Sequence, residues 1–257
     1  MTIKKISYFL ILLTVGIAFS CGGPKQSAPE AGASADTSSV ADTGYTGIKQ
    51  YFTGNTLIKE VTFKNGVRNG VMKSFYNGKQ IRQTFWYKDG LREDSAKWYY
   101  MEGPVFRATP YVKDTINGIQ QQYFRNGKIK ARIGFEKGLR NFFFEEYTTD
   151  GKLIKNYPDV VVTTKDDYKV NGTYKITLEL SNKSPKVKFF RGEFGKGIYD
   201  TGKVDPVKTV NGTGTLILKK SSAAVKPAVE ILAEILTDYG NNYLVVKKID
   251  LPYNDLK

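Results

Sequence analysis

Residues 70–90 read GVMKSFYNGKQIRQTFWYKDG, with paired aromatics, glycines at turn spacing, and lysine and arginine between them. Side chains of these types can stack on a planar ligand and neutralise an anion, and they can equally well pack on one another. Other chemistries are poorly supplied. The 257 residues contain no histidine, which removes the commonest general base and metal ligand. A single cysteine excludes an intrachain disulfide and a cysteine-cluster zinc site. Adjacent acids stand at Glu93-Asp94, Glu145-Glu146 and Asp166-Asp167, but neighbours in a strand point to opposite faces and do not make an acid–base pair. The run from Gly197 to Val204 has the spacing of a phosphate-binding loop, yet Val204 stands where a Ser or Thr would hold magnesium. It reads as a Gly-rich turn. No catalytic residue, metal or cofactor is expected, and the chain reads as a non-enzyme.

The formal net charge is +14. Between residues 47 and 156 there are 20 Lys/Arg against 10 Asp/Glu, and from 157 to 257 there are 16 against 12. The excess is therefore concentrated in the middle of the chain, where the sequence repeats.

The period is 24. Tyr51, Phe75, Tyr99, Tyr123 and Tyr147 are aromatic at every step, and Phe52, Tyr76, Tyr100 and Phe124 follow them. Leu57, Ile81, Val105, Ile129 and Leu153 form an aliphatic ladder, and Phe63, Tyr87, Tyr111 and Phe135 another aromatic one. Gly66, Gly90 and Gly138 mark a turn, with Asp114 as the exception. Each unit reads as strand, Asn-Gly turn, alternating strand and second turn, which predicts a meander of antiparallel hairpins contacting mainly their neighbours. The same register stacks Lys49, Lys73 and Lys97 into one row, Lys64 and Lys88 into a second, and Arg68, Arg92 and Arg140 into a third. Since adjacent strand residues face opposite ways, only one aromatic of each pair can join the core. The second ladder, Phe52, Tyr76, Tyr100 and Phe124, is assigned with Trp86 to the Lys/Arg face, unless the C-terminal part covers it. These residues form the candidate binding surface.

The pattern aromatic-aromatic-x-Asn-Gly-Lys, followed by Phe/Tyr-Lys-Asn/Asp-Gly-x-Arg, resembles the variant MORN repeat of bacterial YwqK-type proteins. It is clearest in Tyr51–Gly70, Phe75–Arg92 and Tyr123–Arg140, and it covers about residues 47–156. The resemblance implies a β-meander and an interaction role, and it specifies no catalytic residues. Its antitoxin label implies work in the cytosol, which an exported chain does not fit.

After Tyr157 the register is lost. The segments VVVTT, GTYKITLELSN, KVKFFRGEF and GTGTLILKK read as strands between turn residues. Ala228 to Leu236 fits a helix with Pro227 in its first turn as well as a strand, and the Tyr-Gly-Asn-Asn turn leading into Tyr243–Ile249 favours the strand, as half of a long hairpin. About 100 residues with six or seven strands fit an immunoglobulin-like sandwich. The predicted fold is all-β: a repetitive antiparallel hairpin meander over 47–156, then a β-sandwich over 157–257.

Residues 1–20 read as an export signal, with Lys4 and Lys5 before the apolar run Ile6 to Phe19. Cys21 follows Ala18-Phe19-Ser20 and resembles a lipoprotein acylation site. Residues 21–46 are rich in Gly, Ser, Ala and Pro and read as a flexible tether. The expectation is a lipid-anchored protein of a diderm envelope, at the outer membrane, docking a protein partner through its basic sheet. The alternative is an accessory module of a surface uptake or secretion machine that binds an anionic glycan or lipid, and nucleic acid is excluded by compartment.

Overall fold

The computed structural model describes residues 44–222 and 227–257; the leader, Cys21 and most of the expected tether lie outside the described residues. Ten strands come from the repeats: β1 (Gly47–Thr53), β2 (Thr56–Lys64), β3 (Val67–Phe75), β4 (Ile81–Lys88), β5 (Leu91–Tyr99), β6 (Val105–Val112), β7 (Thr115–Ile116), β8 (Gly118–Tyr123), β9 (Ile129–Glu136) and β10 (Leu139–Glu146). They pair antiparallel with their chain neighbours in one long sheet, except that β7 is a side branch on β6.

The turns explain the period. At Asn65-Gly66, Asp89-Gly90 and Lys137-Gly138 both residues have positive φ, 51° and 79°, 49° and 86°, 48° and 84°. This is the requirement of a tight primed hairpin turn, in which glycine avoids a Cβ clash. Lys113-Asp114 makes the same turn with φ of 47° and 65°. Asp114 can replace glycine because aspartate tolerates the left-handed region. From each turn one N–H reaches the preceding unit: Gly90 to the Arg68 carbonyl (2.8 Å), Asp114 to Arg92 (2.9 Å) and Gly138 to Ile116 (2.8 Å). At the opposite ends of the strands, the aromatic N–H closes the Asn-Gly-Lys turn, Tyr76 to Gln80 and Phe124 to Lys128, both at 2.9 Å.

Cross-strand partners share a face, so the register divides the sheet. One face carries Val61, Met72, Phe85, Tyr87, Ala96, Trp98, Tyr111, Ala131 and Ile133, most of them buried. We call it the aromatic face. The other carries Gln50, Glu60, Lys73, Thr84 and Lys97 as one continuous row of partners, and it is the basic face.

The remaining strands are β11 (Val160–Asp167), β12 (Thr173–Leu180), β13 (Val187–Gly192), β14 (Ile198–Tyr199), β15 (Asp205–Pro206), β16 (Lys208–Val210), β17 (Thr213–Lys219), β18 (Ala228–Leu236) and β19 (Asn242–Asp250), with one helical turn, α1 (Tyr168–Asn171). They form sheets of order β11-β12-β17-β16 and β15-β13-β18-β19. With β11, β12, β13, β16, β17, β18 and β19 read as strands A to G, this is the ABED and CFG arrangement of an immunoglobulin sandwich, with β15 added at the edge. Ile176, Leu178, Leu180 and Leu218 of the first sheet meet Phe189, Val229, Ile231 and Ala233 of the second in one core. The expected strand at 228–236 is present, because Ile231, Ala233 and Ile235 alternate inwards while β13 and β19 flank it.

The two parts form one compact unit. Strand β14, from the loop after β13, pairs with β10 and extends the long sheet to 11 strands. Phe142 of the sheet packs into a second cluster with Phe194, Tyr199, Leu232 and Leu244. Glu146, 1% exposed, accepts hydrogen bonds from the Thr237 hydroxyl (2.9 Å) and the Asn241 amide (2.8 Å). Tyr157, which connects the two parts, stacks on Tyr243 at 4.2 Å.

Candidate interaction surface

The rows expected from the register separate when side chains are placed. Arg68 lies over the Tyr87 ring at 5.3 Å and Arg92 over Tyr111 at 4.5 Å, so the repeat builds the same cation–aromatic stack twice on the aromatic face. Arg92 also donates from Nε to Asp114 Oδ1 at 2.7 Å, and its backbone N–H reaches the same oxygen at 2.9 Å. Burial pushes Asp114 up, but the hydrogen bonds and charge of Arg92 outweigh it and hold the carboxyl below its ordinary range. Arg140 donates from Nη2 to the Asn242 carbonyl at 2.7 Å, at the joint with the sandwich. Burial there pulls its pKa down to about 10, against the opposing pull of Glu234. The arginine row is thus an internal fastening, and it does not lie with the lysines.

The second aromatic ladder is also largely engaged. The Tyr76 hydroxyl donates to the Tyr99 carbonyl (2.7 Å) and the Tyr100 hydroxyl to the Tyr123 carbonyl (2.9 Å), each reaching 23 residues ahead. Phe124 meets Tyr239 of the sandwich edge-on at 5.7 Å, and there the C-terminal part covers the ladder. Phe52 has no hydroxyl and stays 55% exposed.

Lys49 corrects the lysine row. In the repeat register it would face Glu60 as Lys73 faces Thr84, but it pairs instead with Val61. Strand β1 is slipped by one residue, and a one-residue slip turns every side chain to the other face. Lys49 therefore sits on the aromatic face, 5.4 Å from the Tyr45 ring and 6.0 Å from Phe63. Ile48, equivalent to buried Met72 and Ala96, is turned out and is 61% exposed.

What remains together on the basic face is Lys64, Lys73, Lys88 and Lys97 with Trp86, which is 47% exposed. None of these four lysines makes an ion pair or side-chain hydrogen bond among the described residues. Val67 and Leu91 complete the patch. They are exposed, they pair with Lys64 and Lys88, and their 24-residue spacing was the available signal for them. Glu60 and Glu93 share this face, but Glu60 is taken by the Gln50 amide at 2.8 Å.

Elsewhere the chemistry is structural. In the Gly197–Val204 run, Asp200 accepts the Gly202 N–H at 3.0 Å and pairs with Lys203, capping a short turn at Thr201–Lys203 with no helix behind it. Among the described residues, no three carboxylate, histidine or cysteine side chains gather as metal ligands. A shallow depression of about 430 Å³ lies on the outer side of β16 and β17, lined by Lys208, Val210, Thr213, Thr215 and Ile217, which offer no acid–base pair. The fold and surface define the class: an all-β repeat sheet joined to an immunoglobulin-type sandwich, with lysines gathered on one sheet face. No protein-family model matches the chain, and no curated protein matches it.

Proposed function

We propose that this chain is a non-catalytic docking protein of the variant-MORN type, held at a diderm outer membrane through Cys21. Its partner is an envelope protein with an acidic surface. The observation that carries the reading is the division of cations. Arg68, Arg92 and Arg140 are engaged on the aromatic face and at the joint, whereas Lys64, Lys73, Lys88 and Lys97 share the basic face with the exposed Trp86 and have no carboxylate partner among the described residues. A cationic patch with an aromatic at its centre speeds encounter with an acidic surface and supplies an apolar anchor once docked. An anionic glycan is the second reading, favoured by the exposed indole, on which a sugar ring can stack.

Replacing the four lysines by Gln is expected to weaken capture of the partner from envelope membranes at least tenfold and to flatten its salt dependence. Trp86→Ala should weaken capture without changing the salt slope. Capture unaffected by either change would sink the proposal, and retention on immobilised acidic glycan with no protein partner would favour the second reading.

A further inference from the structure

The long sheet ends on the short strand β14 at one side and on the seven-residue β1 at the other, where β1 has β2 on one side and no strand among the described residues on the other. The direction of the backbone groups in β1 follows from two bonds. Gly66 N–H donates to the Tyr45 carbonyl, so odd-numbered residues face β2. The Tyr45 hydroxyl donates to the Ile48 carbonyl at 2.9 Å, from the open side. By alternation, the N–H and C=O groups of Ile48, Gln50 and Phe52 are directed away from the sheet, and among the described residues only the Ile48 carbonyl is capped.

Strand β1 reads GIKQYFT, and it is complementary to itself when reversed about Gln50. Antiparallel to a second copy, Gln50 meets Gln50, Ile48 meets Phe52 and Lys49 meets Tyr51. The outward groups of Ile48, Gln50 and Phe52 then fall at hydrogen-bonded pairs. Ile48 and Phe52, 61% and 55% exposed, cover each other on the basic-face side. Lys49 stands across from an aromatic ring rather than a like charge. A register centred on Lys49 would oppose two ammonium groups and lose this match.

We propose that β1 is a homodimerisation strand, joining two copies edge to edge about a two-fold axis at Gln50. The slip is what makes this possible. In the repeat register Ile48 would be turned to the buried position of Met72, and the edge would lose its apolar pair. Because the pairing is isologous, with the same β1 edge used by both copies, it closes at two copies and does not grow into a filament.

The test uses the full chain with Cys21→Ser, analysed by light scattering on a sizing column. Twice the single-chain mass is expected. Gln50→Pro removes an outward N–H that the monomer sheet does not use, so it should leave the far-UV spectrum intact and weaken the dimer at least tenfold. Gln50→Cys should form a disulfide-linked dimer under oxidation, whereas Lys73→Cys, inside the sheet, should not. A single-chain mass at all concentrations would overturn the proposal. So would a dimer that survives Gln50→Pro and is not crosslinked in the Gln50→Cys variant.

Discussion

Arg92 and Lys88 occupy equally regular positions in the repeat, yet they do different work. Arg92 stacks on Tyr111 and binds Asp114, while Lys88 projects from the basic face. Arg92→Ala is expected to cost about 1 kcal/mol, since its ion pair is partly exposed and screened. Lys88→Gln should leave stability unchanged and affect only partner binding; a denaturant series on both variants distinguishes them. Two tyrosines at the joint set an alkaline limit. Burial and then the charge of Glu146 push Tyr157 well up, and burial and then Glu234 push Tyr199 up to about 12. Folded values above the ordinary ~10 mean that the buried phenols resist ionising, so stability is level below pH ~10 and falls as pH rises towards 12. For Tyr199 the fall is on the order of 2 kcal/mol. Tyr199→Phe should leave stability at pH 7 nearly unchanged and flatten its decline between pH 10 and 12, followed by denaturant midpoints.

At the scale of elements, the slip of β1 has a local cause. Later units close with Asn-Gly-Lys, and in one of them Asn126 Oδ1 accepts the Lys128 N–H at 3.1 Å, holding the longer turn. In the first unit Thr53 stands where the second unit has Asn77, and Gly54-Asn55 makes a two-residue turn with a positive φ of 56° at Gly54. A tight Gly-first hairpin then sets the register one residue off. Thr53→Asn with Asn55→Lys should restore the longer turn and pair Ile48 with Val61. Cross-strand NOEs decide it: contacts from Ile48 rather than Lys49 to Val61 are expected, and unchanged contacts would show that Tyr45 packing, not the turn, sets the slip.

For the whole molecule, the joint predicts shared stability. Both tryptophans, Trp86 and Trp98, lie in the long sheet, so their fluorescence reports on the repeats, while far-UV dichroism reports on both parts. With β14, Phe142 and Glu146 tying the parts together, the two signals should change in one coincident transition. Phe142→Ala should lower both midpoints together, by about 2–4 kcal/mol. Two separated transitions in the unaltered chain would contradict the joint.

The repeat, its turns and the sandwich were legible in the sequence, because period-2 alternation and positive-φ turn residues act over a few positions, whereas residues 228–236, which alternate only in part, were fixed as a strand by their neighbours β13 and β19. Even the Asp114 exception follows from local backbone preference. The division of the candidate surface was not legible. A 24-residue period places Arg68, Arg92 and Lys73 in equally neat rows, but whether a cation faces a ring, a carboxylate or solvent depends on which residues the pleat and bulges bring across from it. The closing of one sheet end by β14, the burial of Glu146 more than 90 residues from Asn241 in the chain, and the slip of β1 were likewise decided only by the assembled fold. Local pattern chooses the strands; pairing between distant segments chooses which face each side chain keeps.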